Sequence, residues 1–262
     1  MGLTKYELKE FLDAKVEEFN TTDFIAPDPI SVPHRYTLKE DIEIASFLAS
    51  TIAWGNRKMI TKNGHSMMDL LGNSPYDFVM SHEEYQLERL EGFVHRTFND
   101  TDLLYVIEFF KQHYTNQTSL ETAFFKHQVT GEKIKNVEMA LTHFHEYFFS
   151  IEDAPHRTKK HIANPVSGST CKRLNMYLRW MIRNDQQGVD FGIWKSIKPA
   201  ELICPVDVHV ARVARSLGMI KRKQTDWLTA LELTNYCRTL DSKDPVKYDF
   251  ALFSLGVIEK FN

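Results

Sequence analysis

The chain has 262 residues, 43% of them hydrophobic and 12% aromatic, with a formal charge of −3. That is material for one large domain or two small lobes with a packed core, and it excludes a disordered chain. No stretch reaches the ~20 apolar residues of a membrane-spanning helix.

In chain order, the opening MGLTKYELKEFLDAKVEEF reads as an amphipathic helix with no apolar signal region, its stripe being Leu8, Phe11, Leu12, Val16 and Phe19. Ala26-Pro27-Asp28-Pro29 breaks the pattern. Ile42, Ala45, Phe47, Leu48, Thr51 and Ile52 then mark a strongly apolar, central helix. Gly72-Asn73-Ser74-Pro75 is a connector. Helical periodicity resumes over 103–114, 137–149, 171–182, 208–217, 227–240 and 246–258, with breaks at Asn164-Pro165 and at 242–245. Alternating runs are scarce, so sheet is minor. The expected fold is all-α, a two-lobed helical globule of about ten helices with a cleft between the lobes. The lobes are expected at roughly 40–160 and 161–220, with the N- and C-terminal helices packing together.

Charge is unevenly spread. From 155 to 184 there is no Asp or Glu, yet Arg157, Lys159, Lys160, Lys172, Arg173, Arg179 and Arg183 occur. From 208 to 225 there is again no acid, against Arg212, Arg215, Lys221, Arg222 and Lys223. Clusters of base on an acidic background are the footprint of a phosphate-binding face, and also of ordinary solvated helix faces. Cys171, Cys204 and Cys237 lie far apart, with no zinc or iron–sulfur spacing, so a reducing, cytoplasmic compartment is expected. No metal is expected: Asp207-x-His209 has no third ligand at sensible spacing, and His143-x-His145-Glu146 reads as a helix surface.

On a helical wheel Lys172, Met176, Arg179 and Arg183 share one line, opposite Leu174, Tyr177, Leu178, Met181 and Ile182. The pattern predicts one packed face and one face presenting cations in a row. The turn-rich Asn164-Pro165-Val166-Ser167-Gly168-Ser169-Thr170 precedes it, suiting either a phosphate seat of backbone N–H groups or a plain N-cap at Ser169 or Thr170. A lysine in a first helical turn meets an unfavourable macrodipole, which with Arg173 nearby favours the neutral, nucleophilic amine. Asp207 opens the pattern Val206, Val210, Val213, Leu217. It suits an N-cap and a carboxylate that stabilises a cationic sugar transition state. His209 is a structural or phosphate-contacting residue.

These residues resemble the helix-hairpin-helix DNA glycosylase superfamily, which includes endonuclease III. The likeness is nearest to archaeal 8-oxoguanine DNA glycosylase and to an uncharacterised bacterial family sharing its motifs. The anchor is 205–213, Pro-Val-Asp-Val-His-Val-Ala-Arg-Val. By that likeness Lys172 matches the Schiff-base lysine and Asp207 the aspartate that assists it. Ala53-Trp54-Gly55-Asn56 resembles the base-pocket segment, with Asn56 in place of glutamine. Asp249 and Phe253 resemble an Asp and Trp pair that holds the flipped base. Gly168 keeps the first hairpin glycine, Thr170 replaces the second, and Met176 stands where an aromatic stacks. The likeness covers roughly 40–72 and 163–258.

What the resemblance implies is a helix-hairpin-helix DNA glycosylase with AP lyase activity, acting on duplex DNA with a damaged purine such as 8-oxoguanine. Lys172 and Asp207 would be catalytic. Trp54, Asn56, Met176, Asp249 and Phe253 would line the base pocket. Gly168, Ser169, Thr170, Arg173, Arg179, Arg183, His209 and Arg212 would contact DNA. No cofactor or membrane partner is expected; a monomer in the bacterial cytoplasm, associated with the nucleoid, is. Three other readings remain open: a DNA-binding protein that kept the fold without catalysis, an all-α metal-dependent hydrolase, and a helical interaction protein.

Overall fold

A computed structural model describes residues 3–127, 129–134 and 136–259. In chain order the α-helices are α1 (Lys5–Phe19), α2 (Lys39–Thr51), α3 (Arg57–Leu70), α4 (Pro75–Ser81), α5 (Glu84–Leu87), α6 (Asp100–Asn116), α7 (Glu121–Phe125), α8 (Val137–Phe148), α9 (Lys172–Ile182), α10 (Val208–Ser216), α11 (Trp227–Leu240) and α12 (Tyr248–Phe253). Sheet among the described residues is one antiparallel hairpin, β1 (Val94–His95) with β2 (Phe98–Asn99), and a single isolated bridge. The fold is all-α, and no helix of the described residues is long and apolar enough to cross a membrane.

The chain divides into two compact units, one of residues 25–163 and one of residues 1–24 with 164–262. In the first, every residue of α2 from Ile42 to Thr51 is buried. A helix buried on all sides belongs at the centre of a core. Phe47 meets Phe110, Phe144 and Phe148, and Phe124 stacks on Phe144 with centroids 4.0 Å apart. Two buried acids tie this core to its surroundings. Glu43 accepts hydrogen bonds from the Tyr114 hydroxyl at 2.7 Å, the Ser119 hydroxyl and the Leu120 N–H at 2.9 Å. Asp102, in the capping box that starts α6, accepts from Thr158 at 2.7 Å and pairs with Arg157. Arg157, read from sequence as part of a basic cluster, is therefore spoken for.

In the second unit α1 starts with a capping box between Thr4 and Glu7 and buries Leu8, Leu12 and Val16, packing on α12. α12 also packs on α10. One helix is expected from sequence over 246–258. Instead Pro245–Lys247 is a 3-10 turn, α12 follows, and Ser254–Ile258 is a π turn. At Gly256 the π turn runs close to α10: a Cβ there would lie 3.3 Å from both the His209 carbonyl oxygen and its Cβ. Close approach of this turn to α10 shapes the end of the chain.

The Glu43 hub yields a test. Glu43→Ala orphans three buried donors, each worth roughly 1–3 kcal/mol. Urea unfolding is expected to show a loss of at least ~3 kcal/mol, with a smaller loss for Glu43→Gln. A loss of under ~1 kcal/mol for the alanine variant contradicts the hub.

Candidate functional site

The turn before α9 is built from local hydrogen bonds. Asn164 Oδ1 accepts from Val166 N at 2.9 Å, and Pro165–Ser167 forms a 3-10 turn. Gly168 closes it at φ 80°, a left-handed conformation that favours glycine. Its carbonyl accepts from Trp227 N at 3.0 Å, which fixes the turn to the start of α11. Between Phe148 and Lys172 the described chain makes only 3-10 turns, so the hairpin expected between two helices is entered from 3-10 structure. Neither Ser169 nor Thr170 is the N-cap. Cys171 holds that position in the left-handed region at φ 50°, and its N–H donates to Ser169 Oγ at 3.1 Å. Asn175 Nδ2 donates to the Thr170 carbonyl at 2.9 Å and braces the strained residue. The left-handed twist thus falls one residue after Thr170, where the likeness has its second glycine. Burial pushes the Cys171 thiol up to about 12, so it is no nucleophile at neutral pH.

Lys172 opens α9, half-buried, and its side chain makes no hydrogen bond or ion pair with any described residue. Arg173 beside it is also half-buried, and burial lowers its guanidinium to about 10.

The rest of the expected cationic row requires a correction. Arg179 and Arg183 are 3% and 2% exposed. Arg179 pairs with Asp190 at 3.3 Å and with Asp249. Arg183 pairs with Asp185 at 2.6 Å, Asp190 at 3.0 Å and Asp244 at 2.9 Å. Both guanidinium groups also lie over the Phe250 ring, at 4.4 and 5.4 Å. They form no surface for a phosphate backbone. A wheel separates the two faces of one helix; it does not say which acids arrive from elsewhere. Here they arrive from a loop and from the other end of the unit. After α9 the chain doubles back, with Phe191 N donating to the Trp180 carbonyl and Trp194 N to the Met181 carbonyl, both at 2.8 Å. Those bonds satisfy carbonyls that a helix end leaves open, and they deliver Asp190 onto both arginines. Gly192 permits the return, since a Cβ there would lie 2.9 Å from the Arg183 carbonyl oxygen.

Asp207 is the N-cap of α10. Its Oδ1 accepts from His209 N at 2.9 Å and Val210 N at 3.0 Å. It is half-buried, and its Oδ2 accepts no hydrogen bond from a described residue. Asp249, on α12, is buried and held by Arg179. Burial pushes its carboxyl up to about 6; the charges of Arg179 and Lys172 oppose that rise, while Asp207 and Asp190 add to it. Lys172, Asp207 and Asp249 therefore share one electrostatic neighbourhood. Met176 is buried on the same stripe of α9, and Phe253, half-buried, meets Phe24 edge-on at 6.3 Å. His209 is exposed, and Arg212 donates to the Gly256 carbonyl at 3.1 Å.

Trp54 and Asn56 belong to the unit of residues 25–163. Asn56 is the N-cap of α3, accepting from Met59 N at 3.2 Å. Trp54 is half-buried between the rings of His95 and His161, at 5.1 and 5.6 Å. The residues that sequence reasoning missed are Asp185, Asp190, Asp244 and Phe250. One signal existed: acids return at Asp185 and Asp190, directly after an acid-free stretch. Among the described residues, no group of three or more His, Cys, Asp or Glu is arranged to hold a metal ion.

The chain matches, over residues 28–258, the family described as "Protein of unknown function (DUF2400)", and it belongs to that family. No curated protein matches it, and no solved structure does.

The two kinds of cation on α9 should separate in stability. Arg179→Met leaves Asp190 and Asp249 short of a counter-charge and is expected to cost ~3–5 kcal/mol in urea unfolding. Lys172→Gln breaks no bond and is expected to stay within ~0.5 kcal/mol of the unchanged protein. Equal losses would contradict the assignment of one as structural and the other as available.

Proposed function

We propose that this member of the DUF2400 family is a DNA base-excision glycosylase with lyase activity, which removes a damaged purine through a Schiff base on Lys172. One observation carries the reading. Lys172 sits in the first turn of α9 with no bonding partner among the described residues, and Asp249 feels both its charge and that of Asp207. Two cations of the same helix stripe are locked to carboxylates; this amine is not. The likeness to the helix-hairpin-helix glycosylases supplies the substrate class.

In the proposed reaction the Lys172 amine attacks the anomeric carbon of the extruded nucleotide. The glycosidic C–N bond breaks, and its electron pair leaves with the base. Asp207, with one oxygen committed to its helix and the other open, stabilises the positive charge that develops on the sugar. Proton loss and ring opening give the imine, from which β-elimination breaks the 3′ C–O bond. The Gly168-Ser169-Thr170 turn and the open N–H groups of the first turn of α9 are proposed to take a backbone phosphate. Exposed Lys221 and Lys223 and the exposed His209 add contacts. Met176, Asp249 and Phe253 are proposed for the base pocket. Burial of Arg179 and Arg183 argues against a purely DNA-binding role, which would put the row of cations on the surface.

Borohydride reduction in the presence of an 8-oxoguanine duplex is the test. A covalent protein–DNA complex is expected, absent for Lys172→Gln and reduced at least ~100-fold in rate for Asp207→Asn. No complex on any damaged purine, or a complex that survives Lys172→Gln, overturns the reading.

A further inference from the structure

We infer that the loop between α10 and α11 is a pre-formed grip on the backbone of undamaged duplex DNA, with Lys221 and Lys223 as its phosphate contacts. This rests on DNA being the substrate, as proposed above, and assigns the hold the protein takes before it meets a lesion.

The loop is tied to both helices that flank it. From α10, Arg215 donates to the Arg222 carbonyl at 2.8 Å, to the Gln224 carbonyl at 2.6 Å and to Thr225 Oγ1 at 3.2 Å. From α11, Glu232 accepts from Lys221 N at 2.9 Å and from Arg222 N at 3.2 Å. Thr229 Oγ1 donates to the Gln224 carbonyl at 2.7 Å. A loop braced in this way has little conformational freedom left to lose on binding.

The same bonds sort the charges. Glu232 uses both oxygens on backbone N–H groups of the loop. Asp226 caps α11, accepting from Thr229 N at 3.0 Å, and pairs with Arg222 at 2.6 Å. Lys221 and Lys223 are exposed, and their side chains pair with no described residue. The loop therefore turns its neighbouring acids onto itself and shows two free ammonium groups to solvent.

The loop also ends where a phosphate is already proposed to sit. Directly after it, Trp227 N donates to the Gly168 carbonyl at 3.0 Å. That bond sets the turn before α9, within the acid-free stretch 155–184, beside the end of the acid-free stretch 208–225. Ser167, Gly168 and Thr225 are exposed at this seam, and Val166 and Leu228 next to it are 77% and 53% exposed, so it is open to a partner. The positive end of the α9 dipole lies at the same turn. Two lysines together with a helix start suit a partner whose charges repeat along its length, as duplex phosphates do.

The experiment is fluorescence-anisotropy binding of an undamaged duplex as salt is raised. Each phosphate contact adds about 0.9 to the slope of log affinity against log salt. Lys221→Gln/Lys223→Gln is expected to lower the slope by about 2, so that between roughly 50 and 200 mM salt the unchanged protein loses about 10-fold more affinity than the variant. Lys5→Gln/Lys243→Gln removes the same charge from the start of α1 and from the segment before α12, and is expected to keep the slope. No binding of any duplex by the unchanged protein overturns DNA as the substrate, and this inference with it. Binding whose slope stays the same in the loop variant, or falls equally in the control, overturns this inference alone. So does displacement of the duplex by polyglutamate of equal charge, which would assign the loop to acidic peptide instead.

Discussion

A guanidinium taken out of water must be met by carboxylates and hydrogen bonds, and this requirement organises the unit of residues 1–24 and 164–262. Arg179 and Arg183 point inward from α9, lie over the Phe250 ring and draw four aspartates to them. Asp185 and Asp190 come from the loop that doubles back on α9; Asp244 and Asp249 come from the segment around α12. One cluster of charge thereby fixes the loop, the last helix and the register of both against α9. It also leaves the first turn of α9 different from the rest. Lys172 lies beyond the reach of these pairs, yet close enough for its charge to act on Asp249. Structure and proposed chemistry thus share one helix face, divided along its length.

The unit of residues 25–163 solves the same problem with neutral donors as well as ions. Glu43 is met by two hydroxyls and a backbone N–H, with Lys39 at 3.8 Å. Asp102 gathers Asn99, Arg157, Thr158 and His161. Around them an aromatic core of Phe47, Phe109, Phe124, Phe144 and Phe148 packs at centroid distances of 4.0 to 6.2 Å. Buried acids with several donors each make such a core intolerant of alternative packings.

Much of this was legible in the sequence, and what was missed has physical causes. The period of Leu8, Leu12 and Val16, or of Val210 and Val213, shows which face of each helix is buried, because burial and period are the same information. The centrality of α2 could be read from the density of its apolar residues, Ile42, Ala45, Phe47, Leu48 and Ile52. Asp207 as a cap could be read from its position before a periodic stretch. The fate of Arg179 and Arg183 could not, because their partners lie as far as 61 and 70 residues away and no local pattern encodes that pairing. Cys171, rather than Ser169 or Thr170, at the N-cap escaped for a different reason. A non-glycine residue in the left-handed region goes against local preference and is held there by Ser169 and Asn175. The π turn at Ser254–Ile258 runs close to α10 at Gly256, a tertiary contact that no local pattern encodes.

The account turns on the Lys172 amine being the group that bonds to sugar. Peptide mapping by mass spectrometry, after reduction of the protein with an abasic-site duplex, reads that directly. The account predicts a nucleotide remnant on the peptide containing Lys172 and on no other. A remnant on a surface lysine such as Lys221 or Lys223, or none at all, would contradict it.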